Sequence, residues 1–121
     1  MLTANRPLLA LAGLAGALGV ALAAAAQHGG FADLAIAANF LLFHAPALIG
    51  LSLLPRSRLL TAATAVMIVG LVLFCGDLIC LTYLGHSPLP IAAPIGGTAL
   101  ILGWLLLVAT GVWGPRSRQA G

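Results

Sequence analysis

The sequence predicts an all-α integral membrane protein, an antiparallel four-helix transmembrane bundle with short loops, on three observations. Its composition is 62% hydrophobic and only 6% charged, where a typical soluble domain carries about 25% charged residues. Polar or Pro/Gly punctuation divides the 121 residues into four apolar stretches, each near the ~20 residues that a bilayer crossing needs. All five arginines fall at the ends of those stretches. A soluble fold of this size would have nothing with which to cover its surface, and lipid is the solvent that fits. The whole chain, residues 1–121, is expected to form a single transmembrane domain.

The first helix is expected over residues 7–26, ending at Gln27-His28-Gly29-Gly30. Gly13, Gly16 and Gly19 give it small residues suited to close helix packing. Met1–Gln27 also has the make-up of a secretory signal, with Arg6, an apolar core and an alanine run. The length of that apolar run and its glycines favour a retained helix. The second helix, residues 32–54, begins with Asp33 in its first turn, where the helix dipole favours a carboxylate, so Asp33 is expected to cap it. Pro46 lacks the N–H that the Leu42 carbonyl would accept, so a kink near His44 is expected. The third helix spans residues 59–84 and the fourth residues 91–113, with Pro94 in a first turn that tolerates it. Gly96, Gly97 and Gly103 give this last helix a small-residue face for backbone packing.

With four crossings, the N-terminus, the middle loop and the C-terminus lie on one side. Arg6, Arg56, Arg58, Arg116 and Arg118 all fall there, and the first and third connections hold no Lys or Arg. The positive-inside rule makes that side cytoplasmic. The expected location is therefore the cell inner (plasma) membrane, multi-pass, with both termini cytoplasmic. The tetrapeptide Pro-Arg-Ser-Arg occurs at Pro55 and again at Pro115. The halves otherwise match only at scattered positions, so a repeated flank explains it as well as a duplication does.

Ionisable or strongly polar groups inside a span are costly and become functional candidates. Asn39, His44 and Asp77 qualify, with Thr98 at a depth similar to Asp77. At about 1.5 Å per residue, Asn39 and Asp77 lie roughly 10 Å from the outer helix ends and His44 roughly 18 Å. Asn39 is then the expected hydrogen-bond partner of Asp77, and Trp104 falls at the depth of His44. Asp77 reads as a group that pins two helices, or else as a proton or cation site. His44 reads as a satisfied core histidine beside an aromatic, since His28 and His86 lie in the outer connections and no second histidine matches its depth for haem. Cys75 and Cys80, about 140° apart around a helix, are poorly set for a disulfide or a shared metal. No cofactor and no metal are expected.

Several short runs carry a family likeness. Leu73-Phe74-Cys75-Gly76-Asp77-Leu78, then Ala93-Pro94-Ile95-Gly96-Gly97, then Leu102-Gly103-Trp104 resemble the domain of unknown function 423 family. Gly16-Ala17-Leu18-Gly19-Val20 with Gln27-His28-Gly29, and Phe43-His44-Ala45, are similar to its first and second helices. That family consists of small four-helix membrane proteins and takes in the eukaryotic transmembrane protein 256. The resemblance implies a retained first helix and carries no activity with it. Where the pattern leads one to expect a small hydroxyl residue, the chain has Asp77, so the resemblance gives that carboxylate no essential role.

The sequence offers no nucleophile–base pair, phosphate loop or metal-ligand cluster of the kind an enzyme needs. Net charge is +3 with a pI near 9.7, yet no clustered basic face is present for nucleic acid. The expected partners are the lipid bilayer and either another membrane protein or a second copy of the chain. The expected function is a non-catalytic accessory subunit or assembly and stability factor of a larger membrane complex. The alternative is a small oligomeric transporter or channel that uses Asp77, Asn39 and His44.

Overall fold

In the computed structural model, which describes residues 3–114, the chain forms α1 (Arg6–Gly29), α2 (Ala32–Leu53), α3 (Arg58–Leu84) and α4 (Ala92–Trp113). No strand occurs among the described residues. All four helices are long and apolar enough to cross a membrane. The Pro115–Arg118 flank, with Arg116 and Arg118, lies outside the described residues.

Local chemistry sets the helix ends. The Asn5 side chain accepts the Leu8 N–H at 3.3 Å, and Pro7 occupies the first turn, where a missing N–H costs nothing. Ser57 caps α3 in the same way, accepting the Leu60 N–H at 3.1 Å. Gly30 and Gly85 close α1 and α3 in the left-handed conformation, with φ of 69° and 78°, which glycine adopts without a Cβ penalty. The α1 helix therefore runs three residues past its expected end, because Gln27 and His28 are helix-compatible and Gly30 is the stop. One expectation is corrected here. Phe31 holds the N-cap position of α2 and no side chain caps it, so Asp33 contributes charge to the first turn without capping. The α2 helix also continues unbroken through Pro46.

Consecutive helices pack antiparallel, as their contacts show. The Asn5 N–H donates to the Ser52 carbonyl at 2.7 Å, tying the start of α1 to the end of α2. The Cys75 thiol donates to the Ala37 carbonyl at 3.5 Å, joining α3 to α2. Backbone packing links α1 to α2, α2 to α3 and α3 to α4, and no other pair among the described residues. The bundle is therefore an open series rather than a closed ring. A groove remains between α1 and α3, floored by α2.

The outside is as apolar as the inside. Leu14, Val20, Val72, Ile101 and Val108 are each about 60% exposed, an arrangement that water penalises and hydrocarbon does not. The end that carries the start of α1 and the α2–α3 connection gathers Arg6, Arg56 and Arg58. Asp33, at the start of α2, and Asp77, near the end of α3, lie toward the opposite end.

Candidate functional site

The polar residues singled out from the sequence do not converge. His44 is 3% exposed and has both ring nitrogens engaged. Nε2 accepts the Trp104 indole N–H at 3.1 Å. An indole nitrogen only donates, so Nε2 must offer its lone pair and the ring proton must sit on Nδ1. Nδ1 then donates to the Phe40 carbonyl at 2.7 Å, one turn earlier in α2. Phe40 lies against the imidazole at a centroid distance of 6.1 Å and against Phe74 of α3 at 4.5 Å. Phe40, His44, Phe74 and Trp104 thus form a joint between α2, α3 and α4 in which the histidine has no free nitrogen for a metal or haem.

Asp77 is 8% exposed, and its buried Oδ1 has no hydrogen-bond partner. It lines a 170 Å³ cavity with Gly76, Cys80, Pro88, Leu89 and Ala92, beneath the α3–α4 connection. The expected partner is elsewhere. Asn39 is exposed on the outer face of α2 and makes no side-chain hydrogen bond within the described residues. Matching depth was insufficient, because Asn39 and the inward-facing His44 are five residues apart and so about 140° apart around α2. Thr98 is exposed too, and its hydroxyl donates to the Pro94 carbonyl of its own helix at 2.8 Å. Asn39, Thr98, His44 and Asp77 therefore form no continuous polar path. His28 and His86 are exposed at the outer connections. Among the described residues no three His, Cys, Asp or Glu side chains gather as a metal would require. Cys75 is buried, Cys80 half-buried, and both are free thiols.

The glycines separate into close contacts and bystanders. A Cβ on Gly96 would lie 2.5 Å from the Phe74 backbone nitrogen, and one on Gly70 would lie 2.8 Å from the Gly96 carbonyl oxygen. A Cβ on Gly103 would meet the Met67 backbone at 3.1 Å. The crossing of α3 on α4 is built on these three residues, and Gly70 is the one the sequence reading missed. On the other side, a Cβ on Gly19 would lie 2.8 Å from the Leu42 side chain, and one on Gly16 would make an ordinary 3.6 Å contact with Ala45. Gly97 likewise makes only an ordinary contact, 3.7 Å to the Phe74 ring, and Gly13 has no neighbour within 4 Å. Gly13 is thus corrected from a packing residue to an exposed one.

A family model described as a protein of unknown function, DUF423, matches residues 12–97. That span takes in most of α1, all of α2 and α3, and the start of α4, and it stops short of Gly103-Trp104. No curated protein and no solved structure matches the chain. With well over half its length inside the match, the chain belongs to the DUF423 family.

Proposed function

We propose that this protein is a non-catalytic accessory subunit or assembly factor of a larger membrane complex, a multi-pass inner-membrane protein whose α2 outer face meets the partner. Asn39 is the observation behind this reading. Its amide is exposed amid apolar neighbours on a helix long and apolar enough to cross a membrane, beside Phe43 at 73% exposure. An amide facing hydrocarbon is costly unless it is hydrogen-bonded, and an asparagine presented to a second helix is a recurring adhesive in membranes. The residues that offer chemistry elsewhere are consumed or scattered: both His44 nitrogens are engaged, and Thr98 bonds its own helix. Mild-detergent purification of full-length wild type, Asn39→Gln and Asn39→Leu from native membranes tests the reading. Wild type and Asn39→Gln should retain the same partner protein, or a second copy of the chain, and Asn39→Leu should lose it while accumulating normally. A solitary wild-type chain, or retention by Asn39→Leu, would refute it.

A second reading, a small oligomeric transporter or channel, is favoured by one feature. Asp77 presents a buried oxygen without a partner, beside a cavity.

A further inference from the structure

We propose that the groove between α1 and α3 binds one anionic phospholipid, its phosphate on Arg56 and one acyl chain along the groove. Two cavities form the groove. The inner one, 250 Å³, is lined almost wholly by apolar side chains of α1, α2 and α3, among them Leu14, Leu18, Leu48, Leu71 and Ile79. The outer one, 360 Å³, opens at Arg56, Asn5, Thr61 and Thr64. Leu11 and Ile68 line both, so the two are continuous. From Thr61 to Ile79 along α3 the groove runs about 27 Å, longer than the one leaflet, about half of the ~30 Å hydrocarbon core, that an acyl chain spans. An acyl chain entering at Arg56 is therefore accommodated along its length.

The mouth has the chemistry of a phosphate site. Arg56 also borders the adjoining surface pocket with Arg58, and no acidic residue stands near, since the two carboxylates lie toward the opposite end of the bundle. The guanidinium fork suits phosphate oxygens. Asn5 spends its side-chain oxygen on the Leu8 N–H, which leaves its amide hydrogens to donate outward. The Thr61 and Thr64 hydroxyls donate to the carbonyls of Ser57 and Leu60, so they face the mouth only as acceptors. A headgroup that carries hydroxyls, such as glycerol, supplies the donors they lack. At the other end Gly76 lines the groove, with no atom within 4 Å of where its Cβ would be.

Native mass spectrometry of the full chain in detergent, with phosphatidylglycerol or phosphatidylcholine added at equal amounts, tests this. One phosphatidylglycerol should be retained per chain in preference to phosphatidylcholine. Arg56→Gln should lower phosphatidylglycerol occupancy about fivefold, the scale of one basic side chain against an anionic lipid, and narrow its preference over phosphatidylcholine. Ala65→Leu, at an exposed position that lines the cavity next to Arg56, should lower occupancy by phosphatidylglycerol while the melting temperature is kept. Equal retention of the two lipids by wild type, or an Arg56→Gln variant that binds like wild type, would overturn the proposal. So would displacement of the lipid by excess inorganic phosphate, which would mark a free-anion site instead.

Discussion

The Trp104 indole N–H donates to His44 Nε2 across 3.1 Å, and this bond joins α2 to α4, two helices whose backbones do not pack on each other. It fixes the imidazole tautomer, because the same ring must then donate from Nδ1 to the Phe40 carbonyl. Trp104→Phe removes the donor and leaves Nε2 buried without a partner. The expected loss is about 1 kcal/mol, the scale of interhelical hydrogen bonds in membranes. In a double-mutant cycle with His44→Phe, the paired variant should cost clearly less than the sum of the two single losses. Additive losses in detergent unfolding would show that the bond contributes nothing.

The α3–α4 crossing makes a sharper demand. Gly96→Ala places a methyl 2.5 Å from the Phe74 backbone nitrogen, and Gly70→Ala places one 2.8 Å from the Leu100 nitrogen. Backbone atoms cannot swing aside, so each substitution should destabilise by about 1–3 kcal/mol, the usual cost of overpacking. Gly13→Ala and Gly111→Ala meet nothing within 4 Å and should be neutral or slightly stabilising, since alanine favours helix by up to about 1 kcal/mol. Thermal unfolding of the four variants checks the contrast, and a uniform response would contradict it.

Asp77 divides the two functional readings. Its Oδ1 is buried and unpartnered, so an apolar side chain of similar size removes a cost rather than a bond. Asp77→Leu should therefore leave thermal stability unchanged or raise it. Asp77→Asn keeps the shape and should fold equally well. If the protein is an accessory subunit, both variants accumulate and support the cellular phenotype of the wild type. A transporter that uses the carboxylate would instead lose its phenotype in both variants while the protein remained abundant.

The number and order of the helices were legible in the sequence because apolar length decides them, whereas the end of α1 was set by Gly30. Gly19, Gly96 and Gly103 were legible as packing residues, and Gly16 makes only an ordinary contact. The proposed Asn39–Asp77 pair failed because sequence position gives depth along a helix but not the direction a side chain faces across the bundle. Gly70 was missed for a related reason. A lone glycine in an apolar run repeats nothing within its own helix, and its meaning appears only where Gly96 lies against it. Trp104 matched His44 in depth and also faces it, and so their relation survived.

The arginines set the expected membrane orientation. The Asn5–Ser52 bond brings Arg6 to the same end of the bundle as Arg56 and Arg58, the end expected on the cytoplasmic side. A reporter fused to the C-terminus should score cytoplasmic, and one inserted in the Gly85–Pro90 connection should score external. The opposite pattern would reverse the topology.

Site-specific photocrosslinking from the outer face of α2 tests the proposed function most directly. With a photoreactive residue at position 39 or 43, irradiation of native membranes should yield a protein adduct, of one partner or of a second copy. The same residue at Val20 of α1, which is 62% exposed, should yield lipid adducts alone. Lipid adducts alone at positions 39 and 43 as well would mean that this face meets only the bilayer, and the subunit reading would fall.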